Sequence, residues 1–416
     1  SYTTLHRTNT RVGFVTTAYK NLSKALTIGV RYSCCRKQGF PAPGVPEQTI
    51  MDYGMQQHIM LTLLSCSYAL KFTSLYVVNF SSKAMAQLDA NTSEGTESFL
   101  TQMPELHATT SGLKALSTKL ACEGIEVIRK ACGGHGYGLF SGLPQLYLNT
   151  LRSQTVEGDN NVLCLQTSRF LVKAIEEAKS NGGVNLSPIL AYLKRDFTGN
   201  KAHCSVKNGY DWRNRDVQLN CFGHWALREV STATENYLKG QETMPEYQSK
   251  NENMYELVQM AYTHSYFSIL TSFAGAIENY KESNTMNSDV LRVMERLCDL
   301  FALSTLQQNI GGITMDGFVD QQQVMLLNQE VKSLMNEIRP DAVALVDSFG
   351  FDDILELHQT AIGRYDGNYT KHLWEWSQKD PNNNAKGNKK TGDFPPEFDE
   401  NWGPVLSYFR RNAGSL

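Results

Sequence analysis

Two short segments carry the residues best suited to chemistry. Residues 131–138 form a glycine-dense run that follows a long helical pattern, and residues 155–161 read Thr-Val-Glu-Gly-Asp-Asn-Asn. The second segment places one carboxylate, Glu157, beside backbone amides and small polar groups at the start of another predicted helix. Together the two segments could hold a large anionic cofactor and set a base next to it.

Glu157 has a structural and a functional interpretation. A carboxylate near a helix start is stabilised by the exposed N–H groups and by the helix dipole, and Asp159 could cap the helix. Sequence physics alone favours this structural interpretation. The alternative is a general base on a short loop that faces a pocket, whose pKa rises when burial removes it from water.

Gly133 and Gly134 follow a helix and precede a loop. A dinucleotide fingerprint needs a strand before it and a helix after it, so the pattern favours a helix C-cap. The alternative is close approach of the backbone to a ligand, which residues without Cβ permit. His135 beside them fits a structural or ligand-contacting imidazole better than a catalytic one.

Arg31 and Arg36 lie five positions apart near the end of the first predicted helix. A solvated basic face is the simpler interpretation of this pair, and a phosphate clamp is the sharper one.

The elements that must position these residues are helices, because apolar residues recur every three to four positions along most of the chain. We expect a polar loop at Asn91–Ser98, and no stretch shows strand alternation. The predicted helices reach Gln38, then cover 49–81, from near Pro104 to Gly133, from just after Glu157, 225–238, 254–277, 290–306 and 322–346.

The sequence therefore predicts an all-α protein of two tandem helical bundles. Asn181-Gly182-Gly183 is a flexible joint and a candidate domain boundary. We expect a first bundle over 1–180, a second over 184–378 and an extended polar tail over 379–416.

Composition excludes several classes of partner. A net charge of −3 and a pI of about 6.3 give no basic face for nucleic acid. No apolar run approaches the ~20 residues of a membrane span, so we expect none. The histidines show no metal spacing, and no metal site is predicted. Nine cysteines without a CxxC pattern indicate reduced thiols, most of them small buried hydrophobes.

The order of motifs resembles a known family. RYSCCRKQGF, MDYGMQQH, MPELHATTSGLKA, ACGGHGYGLFSGLPQLY and TVEGDNNVLCLQTSRFLVK resemble the C-terminal half of peroxisomal acyl-CoA oxidases. IRPDAVALVDSFGFDD and GRYDGNYTKHLWEW resemble that family's second helical domain. The likeness runs from about Arg11 to Trp376. The related acyl-CoA dehydrogenases share the flavin-binding helices and lack the second helical domain.

This resemblance implies an FAD-dependent oxidase of peroxisomal fatty-acid β-oxidation, which desaturates a fatty acyl-CoA to a trans-2-enoyl-CoA while O2 is reduced to hydrogen peroxide. Glu157 matches the family's catalytic carboxylate, which removes the α proton. Arg36 matches an arginine on the flavin diphosphate, contributed across a homodimer interface, and Gln57, or its neighbour Gln56, matches a glutamine near the cofactor. Four further positions match cofactor contacts, namely Gly133, Gly134, Asp159 and Asn161.

The chain also departs from the family. The α and β domains that precede this region in relatives are absent from the sequence, so we expect them to be missing or supplied by another chain. The loop after Arg36 reads Lys-Gln-Gly-Phe, where many relatives have Phe before Gly. The last residues are Gly414-Ser415-Leu416, with serine where a peroxisomal signal has a basic residue. The rival hypothesis is a non-catalytic helical scaffold or assembly subunit derived from this family.

Overall fold

The computed structural model describes residues 2–90, 92–181, 186–195 and 203–379. The predicted polar tail beyond residue 379, the glycine joint at 182–183 and the terminal tripeptide lie outside the described residues. Within those ranges the chain is helical and has no strand, apart from one isolated bridge between Lys37 and Thr49. The all-α prediction is confirmed.

Six helices make up the first part of the chain, and they are α1 (Tyr2–Cys35), α2 (Gly54–Asp89), α3 (Ser93–Ala131), α4 (Gly133–Tyr137), α5 (Leu143–Leu151) and α6 (Asn160–Asn181). Eight more follow, and they are α7 (Arg215–Gln241), α8 (Glu246–Glu252), α9 (Met254–Ser283), α10 (Ser288–Gln308), α11 (Gly311–Thr314), α12 (Gln321–Ile338), α13 (Ala342–Asp347) and α14 (Tyr369–Ser377).

Two predicted boundaries near α3 are wrong. Within the expected polar loop at Asn91–Ser98, residues 93–98 are the start of α3, because the Thr92 hydroxyl accepts a hydrogen bond from the backbone N–H of Gly95 at 3.0 Å and caps the helix. Pro104 therefore lies inside α3 rather than in its first turn. It is exposed there, so water can reach the carbonyl that proline leaves without a partner.

The second predicted helix is displaced towards the C-terminus. It begins at Gly54 rather than near residue 49, because Thr49 pairs with Lys37 and the next residues, Ile50–Asp52, form a 3-10 turn. It continues to Asp89 rather than ending near Ser81.

The helices pack closely around a common core. Glycines let α1 and α3 approach: a Cβ on Gly29 would lie 2.6 Å from Cγ2 of Ile128. The apolar core then continues from α2 into α9, where the rings of Phe72 and Phe273 stack with centroids 4.8 Å apart. The first-bundle helices thus share their core with helices of the second.

Helix α2 is long and apolar enough to cross a membrane by length and composition, so the expectation that no run is long enough is wrong on that criterion. Of its most apolar window, 72% is buried inside the protein. Polar side chains on α2 also pair with its neighbours, as the hydroxyl of Ser67 does with that of Ser23 at 2.6 Å. The packing is that of a core helix, and the absence of a membrane span stays a prediction.

Residues 345–365 close over the C-terminal half of α1. Arg31 is 6% exposed, and its guanidinium donates to Asp347 at 2.8 Å and to Asp353 at 3.1 Å. Gly363 has φ +70° and presses against α1, where a Cβ would lie 2.5 Å from the backbone of Ile28. Both sequence interpretations of Arg31 are therefore wrong: it is neither solvated nor free to hold a phosphate, because carboxylates far along the chain neutralise it.

Candidate functional site

Glu157 lies in a strained loop between α5 and α6. Its φ is +60°, and Gly158 follows at φ +112°. The left-handed region costs a residue with a Cβ on the order of 1–2 kcal/mol. Among the described residues only Asn284 shares this property outside glycine, and asparagine tolerates it well at a helix end. A glutamate held there must be stabilised by its surroundings.

The stabilising group is a buried lysine on α3. Lys114 is 0% exposed, and its ammonium donates to the carbonyl of Gly158 at 2.8 Å and to Oδ1 of Asn160 at 3.1 Å. The amide of Asn160 in turn donates to the carbonyl of Ala115 at 3.1 Å and to the Thr118 hydroxyl at 3.2 Å. These bonds fasten the C-terminal end of the loop, at Gly158 and Asn160, to the middle of α3.

The charge of the Glu157 carboxylate acts on two buried cations, Lys114 and Arg11. Burial lowers the pKa of Lys114 to about 8, and the charges of Asp159 and Glu157 oppose that effect. Burial also lowers the pKa of Arg11, and Glu157 again opposes it. Arg11 is 3% exposed and donates to the Ser111 hydroxyl at 2.8 Å, while its Nε is buried without a partner among the described residues. Asp159 and Glu157 therefore both bring negative charge near Lys114, and Glu157 also brings it near Arg11.

Asp159 caps α6, as the structural interpretation predicts: its Oδ1 accepts a hydrogen bond from the backbone N–H of Asn161 at 2.9 Å. Asp159 and Asn161 also line an open groove of about 650 Å³, with Leu148 and Tyr262 on its walls. Glu157 is not among the residues that line this groove. The expected pocket-facing carboxylate is instead half-buried beside the two cations.

Gly133 follows the C-cap of α3, as the C-cap interpretation predicts, but the pair opens the short helix α4 rather than the expected loop. The helix ends at Ala131, and Gly133 takes the left-handed conformation at φ +60°. A Cβ built on either glycine would meet no atom within 4 Å. The backbone is thus open on this side, so the functional interpretation, a close approach by a ligand, also fits the geometry.

Aromatic rings fix the residues around this glycine pair. The Tyr32 hydroxyl bonds Nδ1 of His135 at 2.8 Å, and Tyr369 packs against both rings. Arg36 donates to the Tyr369 hydroxyl at 3.1 Å and to the Gln38 side chain at 2.8 Å. Burial and then the charge of Arg36 lower the pKa of His135, so the imidazole is a neutral packing group.

The two candidate glutamines at the start of α2 differ. Gln56 donates to the Ser33 hydroxyl at 2.9 Å and to the carbonyl of Ala131 at 3.1 Å, so it ties the ends of three helices together. No hydrogen bond to the Gln57 side chain is found within the described ranges, and that side chain is partly exposed. Of the pair, Gln57 is the one whose amide is available to a ligand.

The structure separates the predicted site residues into two groups. Arg36, Gln57 and the glycine pair lie at the end of α3, whereas the Glu157 loop is fastened at Lys114. At the helical rise of 1.5 Å per residue, Lys114 and Ala131 are about 25 Å apart along α3. The two groups are therefore anchored about 25 Å apart along α3.

Comparisons with known proteins match these regions. The family model "Acyl-CoA oxidase, C-alpha1 domain" matches residues 2–172, and the model "Acyl-CoA oxidase" matches residues 214–394. The chain belongs to the acyl-CoA oxidase family. No group of three or more metal-binding side chains is found in the part of the chain that the structure describes.

Individual acyl-CoA oxidases resemble most of this chain. Peroxisomal acyl-coenzyme A oxidase 1 of Phascolarctos cinereus is 34% identical over 377 residues, which are 89% of this chain and 54% of that protein. The chain thus spans about half the length of the curated relatives it matches. The structure of Arabidopsis thaliana acyl-CoA oxidase 1 matches with a TM-score of 0.84 and 31% identity over 97% of this chain and 57% of that one.

Acyl-CoA oxidase-2 of Caenorhabditis elegans, solved with FAD, ascaroside-CoA and ATP, matches with a TM-score of 0.83 and 27% identity. It covers 98% of this chain and 56% of its own. As with the Arabidopsis structure, this chain matches only the C-terminal part of the longer protein.

Sequence reasoning missed the residues that hold the Glu157 loop. Lys114 and Asn160 bond to each other and to this part of the chain, and the charge of Glu157 acts on Arg11, but the sequence pattern predicts a role for none of the three. One signal was available: Lys114 stands alone in a run of small and apolar residues, Ala108 to Thr118. A lysine in such a run is either at a helix surface or buried with a specific partner, and the all-round apolar pattern favours burial.

Proposed function

We propose that the native protein containing this chain is an FAD-dependent acyl-CoA oxidase of peroxisomal fatty-acid β-oxidation. It converts a fatty acyl-CoA to a trans-2-enoyl-CoA and reduces O2 to hydrogen peroxide. Membership of the acyl-CoA oxidase family and the peroxisomal names of its relatives support the proposal. The observation that carries it is the left-handed conformation of Glu157, since backbone strain persists in proteins mainly where it serves a site.

Glu157 is the base in this proposal. The Cα–H next to a thioester is a weak acid, so the proton needs an acceptor held in a fixed position. The carboxylate of Glu157 takes that proton, and the bonds from Lys114 to the loop hold the acceptor still. The buried cations Arg11 and Lys114 lie within range of the charge on this carboxylate.

The residues at the end of α3 fit an FAD site. Gly133 and Gly134 expose backbone with open space in front, Gln57 offers a free amide, and Arg36 supplies a cation for the diphosphate. Asp159 and Asn161, at the start of α6, are further contacts. When bound, FAD supplies the hydride acceptor and the route for electrons to O2.

The spacing of the two groups supports a homodimer. They are about 25 Å apart along α3, so one chain cannot apply both to the same part of a cofactor. A two-fold partner brings the Arg36 group of one subunit towards the Glu157 loop of the other, because such an interface uses the same surface twice. We also propose the division into 1–180 and 184–378 as domains of this assembly, with 379–416 as its tail.

The test replaces the carboxylate with its amide. Glu157→Gln keeps the shape of the side chain and removes its basicity, so we expect acyl-CoA-dependent peroxide formation to fall by roughly 10²–10⁴-fold with flavin still bound. Peroxide release and the flavin absorbance spectrum of the native protein measure the two effects.

Glu177→Gln is the matched control, because it makes the same change on the exposed face of α6. It should leave turnover unchanged. Substantial turnover by Glu157→Gln would sink the assignment, and absence of flavin from the wild-type protein would favour the scaffold hypothesis. A scaffold has no need of a strained carboxylate.

A further inference from the structure

Two cysteine sulfur atoms lie close together just before α7. Sγ of Cys204 is 3.9 Å from Sγ of Cys221. Cys221 is in the second turn of α7 and is 0% exposed, whereas Cys204 is half-buried on the extended segment that leads to the helix. A disulfide requires a separation of about 2.05 Å, so the sulfur atoms must approach by just under ~2 Å.

The segment that carries Cys204 is held firmly. The backbone N–H of Cys204 donates to the carbonyl of Phe318 at 2.7 Å. The Gln323 side chain donates to the carbonyls of Cys204 and Val206, both at 2.9 Å. The backbone is thus fixed on both sides of the cysteine, and rotation of the side chains is what remains to close the gap.

Hydrogen bonding makes the two thiols unequal. The contact with the Cys221 thiol lowers the pKa of Cys204, as do the hydrogen bonds from the backbone N–H groups of Val206 and Ser205, and together they outweigh the opposite effect of burial. The same pairing, together with burial, raises the pKa of Cys221. Each of the other cysteines has a raised pKa, in every case mainly through burial. Cys204 is the thiol best able to ionise, and it is also partly accessible.

We propose that Cys204 and Cys221 form a redox modification site, in which a hydroperoxide oxidises Cys204 and Cys221 resolves the product as a disulfide. The Cys204 thiolate attacks one oxygen of the peroxide, the O–O bond breaks, and a sulfenic acid and hydroxide form. The Cys221 sulfur then attacks the Cys204 sulfur, the S–O bond breaks, and water leaves. In total, two thiols and hydrogen peroxide become one disulfide and two waters.

This site does not depend on the proposed oxidase activity, because any hydroperoxide is a sufficient oxidant. The cross-link closes a short loop between residues 17 positions apart and fastens the entry segment to α7. We therefore expect the oxidised protein to melt a few degrees higher than the reduced protein.

The experiment treats the folded protein with hydrogen peroxide, blocks free thiols and digests it with trypsin without reduction. We expect peptide 202–207 linked to peptide 216–228, each of which contains a single cysteine. The thiol count of the unfolded, unreduced chain should fall by two from the nine cysteines of the sequence. Reduction with dithiothreitol should restore both thiols.

Two variants divide the reaction into its steps. Cys221→Ser should stop it at a Cys204 sulfenic acid that dimedone traps, and Cys204→Ser should leave Cys221 unmodified at the same peroxide dose. Cys35→Ser, at an exposed cysteine elsewhere, is the control and should still form the linked peptides. If Cys204 of the wild-type protein stays open to alkylation after treatment, or if other cysteines form the links, the proposal is wrong. That wild-type result decides the matter even where a variant fails to fold.

Discussion

The end of α3 and the end of the 152–159 loop each contain a residue in the left-handed conformation, but they accommodate it in different ways. Each places a left-handed residue beside a helix, Gly133 after α3 and Glu157 before α6. At Gly133 the residue has no Cβ and the space in front is empty. At Glu157 the residue is strained, and the buried ammonium of Lys114 holds the adjacent loop. A surface that presents backbone needs glycine and room, whereas a surface that presents a side chain needs a support.

Of the tests that separate these two regions, removal of the Lys114 ammonium should have the largest effect. Lys114→Met keeps an unbranched chain but loses the bonds to Gly158 and Asn160, so the loop is free to relax. We expect kcat for peroxide formation to fall about 100-fold, because a small misplacement of a catalytic group is costly. Flavin content should change little, since the glycine pair lies at the other end of the helix.

The control for this variant is Lys173→Met, on the exposed face of α6. It should leave kcat within the error of the wild-type value. A Lys114→Met enzyme that kept full kcat would show that the loop holds Glu157 without the lysine.

A second test uses the pH dependence of stability. Burial lowers the pKa of Lys114 from 10.5 to about 8 in the folded chain. Between these values the unfolded chain binds a proton that the folded chain has released, so the free energy of unfolding rises with pH in that window. Relative to Lys114→Met, the wild type should gain on the order of 1–3 kcal/mol from pH 8 to above 10. Denaturant titrations of both proteins measure the difference, and a constant difference would contradict the buried ammonium.

The smallest effects should separate the two glycines. Gly133→Ala puts a Cβ at φ +60° and should cost about 1 kcal/mol, whereas Gly134→Ala meets neither strain nor a neighbour and should change stability by less than about 0.5 kcal/mol. Gly134→Leu then tests the ligand surface: flavin content should drop while the melting temperature holds. Gly275→Leu, at a glycine of α9 with equally open space, should leave flavin in place.

Much of the fold was accessible from the sequence because local signals decide it. The proline-rich loop after α1 and the glycine pair after α3 mark the ends of these two helices in the sequence, because prolines and a left-handed glycine interrupt a helix. The errors arose where a contact outweighed composition. The polar run at residues 91–98 predicts a loop, yet Thr92 caps a helix that begins at Ser93. The start of α2 moved because Thr49 pairs across the loop with Lys37.

The candidate site was less accessible, because its supports come from distant parts of the chain. Spacing and resemblance pointed to Glu157, but nothing local predicts that its φ is positive. The predictions for Arg31 are wrong because the carboxylates that pair with it come from far downstream. Asp347 lies 316 positions later. Motifs identify the groups that react, whereas the groups that hold them depend on tertiary packing.

The ion pairs of Arg31 also affect how the chain can fold during translation. If α1 packed into the core before residues 345–365 were in place, its Arg31 guanidinium would lack its counter-charges, and an uncompensated buried charge costs several kcal/mol. Its partners Asp347 and Asp353, and the glycine that presses on Ile28, emerge only when most of the chain has been made. The helix translated first among those described is therefore among the last to reach its final environment, and a ribosome that stalls before residue 347 leaves it incomplete.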